Sequence, residues 1–360
     1  MLTIACCRII NTVMSDIRAG VQSHWGASGL SVLLKNFPDC ASWTSTEKAH
    51  YIDIDQQAAC LIGFDQEYLQ LSRGRYNGWF KTVLLGSEIG LFFESFDQVL
   101  DQWGACPKDQ HGFIFLMEGS PDILLNGNPF DPDCIMYTAP GSGFDCNSGP
   151  GTKFGVISVS TEAFELFLAA SQQNENWDNT LMPPSQLIRS AIRAQTLRQM
   201  TRQGLQLADE ASTPSPAEGA LAGFETSLIS LLISFVLSAK DSGSFENRRQ
   251  ASIRNRAAFQ ARAFVHEMGA TNVSVVDLVH YLGTSRRKLE YDFRNHFGIG
   301  PAEYIRVIKL NEFRSALLHE SNHGRSIGDI AAGLGIWHLS RLAQYYQIQF
   351  GELPSQTRCL

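Results

Sequence analysis

Residues 282–301, LGTSRRKLEYDFRNHFGIGP, set three cations in a row and then surround them with aromatic side chains. On a helix, Leu289, Phe293 and Phe297 recur every four residues and make a stripe to be buried, while Ser285 is placed to cap the first turn. Subtracting that stripe leaves Arg286, Arg287, Glu290, Tyr291 and Arg294 outward. An arginine can give two hydrogen bonds to a guanine edge, and a tyrosine can stack or reach a phosphate. The chemistry on offer is recognition of a duplex through its major groove.

A second stretch, residues 334–354 (LGIWHLSRLAQYYQIQFGELP), repeats the outline with the charges changed. Asp277, Leu278, Leu282 and Gly283 match Asp329, Ile330, Leu334 and Gly335 at an offset of 52. Leu289, Phe293, Phe297, Gly298 and Pro301 match Leu342, Tyr346, Phe350, Gly351 and Pro354 at an offset of 53, so one residue is inserted in the turn. Each copy reads as a short helix, a tight turn after glycine and a longer helix ended by glycine, which is the helix-turn-helix outline. The second copy turns Trp337, His338, Ser340, Arg341 and Gln344 outward. Between the copies, PAEYIRVIKLNEFRSALLHE starts with Pro301 at a first helical position and runs as one helix. A stiff connector fixes the separation of the two faces, which successive major grooves require to be about 34 Å. Arg306 and Lys309 on it are placed for phosphate contacts.

The rest of the chain must supply the frame. At 360 residues, with 44% apolar and 18% charged residues, it has the composition of a folded protein with room for two domains. The net charge of −7 hides an asymmetry. Residues 241–360 carry 15 Lys+Arg against 11 Asp+Glu, a balance of +4, and residues 1–240 carry 14 against 25, a balance of −11. An acidic front and a basic tail imply different partners, with the polyanion on the tail. The eight cysteines form no CxxC pair, so reduced thiols and a cytoplasmic location are expected. The opening MLTIACCRIINTVMSDIRAG is broken by Arg8 and lacks a cleavage box, so it is not read as a secretion signal, and Met14 is an alternative start. ALAGFETSLISLLISFVLSA, residues 220–239, has the length of a membrane span but holds Glu225, Thr226 and four serines. It is expected to be a buried or dimer-forming helix, with no membrane partner.

Residues 1–50 give weak signals. From about 78, GWFKTVLLG, EIGLFFESF, HGFIFLMEG, PDILLNG, DCIMYTAPG and KFGVISVS are short apolar or alternating runs separated by turn residues. They predict an all-β sandwich or small barrel, with a hairpin turn at Asn126-Gly127. QLIRSAIRAQTLRQMTRQGLQLAD (186–209) reads as helix, ASTPSPAEG (211–219) as a linker, and 220–239 as a further helix. Leu221, Leu228, Leu231 and Phe235 on that helix are candidate seam positions for a homodimer. The polar DSGSFENRRQ (241–250) marks a domain boundary. The expected organisation is α+β: a poorly defined segment 1–50, a β-rich domain 51–170, a helical linker and dimerisation region 171–240, and an all-α tandem helix-turn-helix domain 250–358. Phe113, Phe115 and Met117 are candidates for lining a ligand pocket in the β-rich domain.

TSRRKLEYDFRNHFGIGPAEYIRVIKLNEFR and GIWHLSRLAQYYQIQFGELPS resemble the AraC/XylS family of transcription regulators, over about residues 250–358. They look most like the branch containing the ethanolamine-operon regulator, in which Ser-Arg-Arg and Gly-aromatic-Trp-His-Leu recur; here Ile336 stands in place of the aromatic. LSRGRYNGWFKTVLLGSEIGLFFES and APGSGFD extend a weaker similarity through the β-rich half. The resemblance implies a cupin-like sensor domain for a small-molecule effector of unknown identity, a helical dimerisation element, double-stranded DNA as ligand and RNA polymerase as partner. APGSGFD is also similar to the second half of a metal-binding cupin motif, but Phe144 stands where a histidine ligand is expected. His319 and His323, four apart, have no third ligand in view, and the glycines between 141 and 155 lack phosphate-loop spacing. No metal, cofactor or enzymatic activity is expected. The reading adopted is a ligand-responsive, sequence-specific DNA-binding activator, and its rival is a β-barrel enzyme with a helical assembly tail.

Overall fold

The computed structural model describes residues 43–45, 49–61, 63–85, 88–118, 123–171, 185–210, 218–241 and 248–359. Expectations for residues 1–42, the linker 211–217 and residues 242–247 lie outside them. β-branched and aromatic runs punctuated by glycine and aspartate give strands β1 (Trp43–Ser45), β2 (Ala49–Tyr51), β3 (Asp65–Gln70), β4 (Gly78–Leu85), β5 (Ile89–Phe96), β6 (Leu100–Ala105), β7 (Gln110–Glu118), β8 (Leu124–Leu125), β9 (Asn128–Pro129), β10 (Cys134–Thr138), β11 (Gly143–Ser148), β12 (Lys153–Ser160) and β13 (Ser185–Arg189). They form two antiparallel sheets, a larger one ordered β1-β4-β5-β12-β7-β10-β13 with β2 also on β4, and a smaller one ordered β3-β6-β11-β8-β9. Asn126 (φ 49°) and Gly127 (φ 73°) occupy the two left-handed positions of the β8–β9 turn.

The two sheets face one another across a core that includes Phe80, Phe92, Leu100, Ile114, Leu116 and Phe154. The outer face of the larger sheet is covered by α2 (Thr161–Ser171), α3 (Ala191–Glu210) and α4 (Glu218–Asp241), which follow a short α1 (Ile54–Ala58). Alternation along β7 sorts its residues between these layers: Phe113, Phe115 and Met117 go to the helices, and Ile114 and Leu116 to the space between the sheets.

Two expectations change here. Residues 185–189 are not helical: β13 closes the open edge of β10, with Cys134 opposite Arg189, and the helix starts at Ala191. Leu228 and Phe235 are not a dimer seam; they are buried with Ile229, Leu232, Ile233 and Val236 against the chain's own sheet, and Leu231 packs at the margin. A broad apolar sheet face needs cover, and α4 provides it. The side chain of Leu221 lies outside the described residues. Among the described residues no helix is long and apolar enough to cross a membrane.

The C-terminal region is helical: α5 (Arg248–Met268), α6 (Val275–Leu282), α7 (Arg286–Phe297), α8 (Pro301–Leu318), α9 (Ile327–Gly333), α10 (Leu339–Phe350) and α11 (Pro354–Thr357). Every matched position of the repeat has a structural job. Asp277 and Asp329 each complete a capping box, with Ser274 and Ser326. Gly283 and Gly335 take left-handed φ in the turns, and Gly298 and Gly351 end the longer helices at φ 72° and 68°. Pro301 and Pro354 open the helices that follow. Leu278, Leu289, Phe293 and Phe297 are buried in one module, and Ile330, Leu342, Tyr346 and Phe350 in the other.

Candidate nucleic-acid interface

The Ser285 hydroxyl accepts a hydrogen bond from the Lys288 amide (3.2 Å) and starts α7. Leu289, Phe293 and Phe297 then anchor the helix, and Arg286, Arg287, Tyr291 and Arg294 are left exposed. They are not equally available. Arg294 is tied to Glu290 (3.1 Å) and Lys288 to Asp292 (2.8 Å), both one turn along the same helix. The side chains of Arg286 and Arg287 make no hydrogen bond or ion pair among the described residues. Glu290 is half-buried and lies against Gly300, where an added Cβ would come within 2.5 Å of its Oε1.

On α10 the equivalent face shows Trp337, His338, Ser340, Arg341 and Gln344, all exposed, together with Leu339. Trp337 is 75% exposed and Leu339 47%. The connector α8 is 18 residues, about 27 Å at 1.5 Å per residue. Arg306 on it is partly occupied, 3.6 Å from Glu303 and with its guanidinium 4.8 Å from the Tyr345 ring centroid; Lys309 is half-buried beside Glu312.

Sequence reasoning missed what grips this assembly. The outer face of the smaller sheet is docked on the helical region: Leu69, Leu71, Val99 and Trp103 share a core with Ala258, Ala261, Val265, Tyr304 and Ile308. β3 is an edge strand, and its end is completed by side-chain amides from the other half. The Gln70 amide donates to Asn311 Oδ1 (3.2 Å), Asn311 Nδ2 donates back to the Gln70 carbonyl (3.3 Å), and Gln349 Nε2 donates to the carbonyls of Gln70 (3.0 Å) and Ser72 (2.9 Å). The Gly74 amide donates to the Gln349 carbonyl (2.8 Å).

Deeper in the interface, fully buried Asp101 accepts from Arg262 Nη1 (2.8 Å) and from the Tyr304 hydroxyl (2.8 Å). Burial pushes the Asp101 carboxyl up, against the pull of Arg262 and Tyr304, while the facing acids hold Arg262 as a guanidinium. Asp145 lies 3.9 Å from Arg262, and burial lifts it to about 7. Arg314 on α8 joins Glu352, the Tyr346 hydroxyl (3.3 Å) and Asp53 (3.6 Å). Its position on the apolar side of the connector, with Leu310, Phe313 and Leu317, is the one sequence signal that pointed to a buried role. The others are paired across 161 to 279 positions and leave no local trace.

Between the sheets lies a cavity of about 30 Å³, lined by Leu61, Phe64, Gln66, Glu94, Gln102, Ile114, Leu125, Phe144, Cys146, Phe154 and Val156. Phe113, Phe115 and Met117 do not line it, because they sit on the other face of β7. Glu94 Oε1 accepts from the Tyr68 hydroxyl (2.6 Å) and Gln57 Nε2 (3.0 Å), and burial lifts the carboxyl to about 7. The smaller sheet is two-faced: Gln102, Phe144 and Cys146 look into the cavity, while Asp101, Trp103 and Asp145 on the same two strands meet the helical region.

Fold and site together define a class: two helix-turn-helix modules joined by one helix and docked on a β-rich double sheet. Residues 278–359 match the family described as a helix-turn-helix domain. The XylDLEGF operon transcriptional activator of Pseudomonas putida is 37% identical over 115 residues, 32% of this chain and 36% of that protein. The XylDLEGF operon transcriptional activator 2 of the same species is 37% identical over 97 residues, 27% of this chain and 62% of that one. Among solved structures, the AraC-like transcriptional activator CuxR is 12% identical, with 80% of this chain and 98% of that chain covered and a TM-score of 0.38. The sequence similarity to these activators lies in the C-terminal third, and the chain spans only 36% of the first relative's length.

Proposed function

We propose that the protein is a ligand-responsive, sequence-specific DNA-binding transcription regulator, and an activator. One observation carries the reading: two equivalent helices, held apart by a single 18-residue helix, each turn an exposed face to solvent. Arg286, Arg287 and Tyr291, with Trp337, His338, Ser340, Arg341 and Gln344, are the base- and phosphate-reading set. Ser285 and Glu290 position α7, Arg294 reads once released from Glu290, and Arg306 and Lys309 take phosphates. The site performs recognition and no covalent chemistry, so the protein is not an enzyme in this reading, and it works in the cytoplasm.

Regulation follows from the two-faced sheet. An effector that expands the cavity moves β6 and β11, and those strands present Asp101 and Asp145 to Arg262. Only a ligand that prefers one docking state shifts the balance between states. RNA polymerase is the partner of an activator, and the motifs Ser285-Arg286-Arg287 and Trp337-His338-Leu339 favour the ethanolamine-operon-regulator-like branch. With Leu228 and Phe235 used internally, a homodimer would use outward residues of the helical layer such as Ile192, which is 79% exposed.

The test is fluorescence anisotropy of the full chain on duplexes selected from a random pool. Binding should weaken steeply as salt rises, and the Arg286→Ala/Arg287→Ala variant should lose both affinity and part of that slope. Unchanged binding by this variant would refute the assignment.

A further inference from the structure

The two outward helices are built alike but armed differently. At the offset of 53, Leu339 stands where α7 has Arg286, Ser340 where it has Arg287, and Gln344 where it has Tyr291. Both helices begin at this matched residue, so the substitution falls on the turn that would enter a groove first. The second helix is preceded by Trp337, which is the most exposed of the large aromatic side chains described and makes no ring contact among the described residues. Leu339 beside it is also open to solvent. Exposed apolar side chains are ordinary when scattered, but here two cluster at the tip of a reading helix.

Charge is divided the same way. Among the described residues, Arg286 and Arg287, both in the first turn of α7, are its cations without an ion-pair partner. Arg341 is the sole cation of α10. Its counterpart Lys288 is held by Asp292, whereas the position matching Asp292 is Tyr345, which lies under Arg306. Arg341 therefore stays free for the backbone, and the base-facing tip of α10 is apolar. In a major groove the apolar group on display is the thymine methyl, and a glutamine can give and accept the paired hydrogen bonds of adenine.

We propose that the helices read duplex DNA by different chemistry: α7 takes a G·C-bearing half-site through Arg286 and Arg287, while α10 takes an A·T-bearing half-site through thymine methyls packed on Trp337 and Leu339 and adenine held by Gln344. This rests on the DNA-binding reading above and names the class of site each module takes. It also assigns the salt dependence chiefly to α7 and the methyl dependence to α10.

The experiment replaces dT by dU in one half of a selected duplex at a time, which removes the methyl and keeps the base pair. Affinities of the full chain are compared at fixed salt. With dU in the half opposite the guanine-bearing one, binding should weaken about fourfold per contacted methyl, and dU in the other half should change nothing. Trp337→Ala/Leu339→Ala should bind the dT and dU duplexes equally, with its salt slope kept. Arg286→Ala/Arg287→Ala should keep the dT preference and lose slope. The exposed positions leave the fold intact, which circular dichroism checks. Equal sensitivity of both halves, or a dT preference that survives in Trp337→Ala/Leu339→Ala, overturns the proposal while DNA binding stands. A pool from which nothing is enriched overturns the DNA-binding reading itself, and this inference with it.

Discussion

Replacing Asp101 by Asn asks whether the β-rich half truly grips the reading half. The change keeps the size and an acceptor for the Tyr304 hydroxyl, but it removes the charge facing Arg262 in a site with no exposure. Stripping one member from a buried pair costs about 3–5 kcal/mol when the other is left uncompensated. Here two features reduce that. The amide oxygen still accepts one hydrogen bond, and Asp145, 3.9 Å from Arg262, can take a share of the charge. A cost of about 2–3 kcal/mol remains, equivalent to a roughly 30- to 150-fold larger open population. Two amides report opening directly, because their acceptors lie in the other half: Gln70, bonded to Asn311, and Gly74, bonded to Gln349. Their native-state hydrogen exchange should accelerate by that factor, while amides of β12 stay protected. The defect should also shrink as pH rises through the ionisation of Asp145, which burial and the Asp101 charge lift to about 7 in the parent and which falls lower once that charge is gone, because ionised Asp145 compensates Arg262. Adding Arg262→Met should recover much of the loss by removing the stranded cation. If Gln70 and Gly74 exchange as in the parent, or if β12 loosens equally, the pair does not hold the halves together.

Four further outcomes are expected. Glu94 is lifted from its ordinary value near 4.5 to about 7, so the folded state holds its proton where the unfolded chain has lost it. That contribution, about 3 kcal/mol, is present below pH 4.5 and is lost as pH rises to 7, so Glu94→Gln should remove this fall from denaturant-measured stability. Ser274→Ala and Ser326→Ala should each cost about 1 kcal/mol, because both end a capping box; a clear inequality in thermal melts would break the equivalence of the modules. Leu228→Ala should destabilise the fold by about 2–5 kcal/mol and leave the mass measured by light scattering unchanged, the reverse of a seam mutation. In DNA binding, Arg287→Ala should cost about 1–3 kcal/mol and relax preference at one base, whereas Lys309→Ala should weaken all sequences alike.

Much of the helical third could be read from the chain because its signals are local. A cap, a glycine in left-handed φ and an apolar residue every fourth position act within one or two turns, so the repeat with its offset of 52 and 53 carried both the modules and their outward faces. The β-rich texture and the Asn126-Gly127 turn were local too. Periodicity tells which face is buried but not against what, and there the tertiary structure decided. It sent Phe113, Phe115 and Met117 to the helices and left the cavity to their neighbours. It gave Leu228 and Phe235 to the sheet, and drew 185–189 into a strand because β10 had a free edge. It alone brought Asp101 to Arg262 and Gln70 to Asn311 and Gln349, since such bonds form only after distant segments have packed and excluded water.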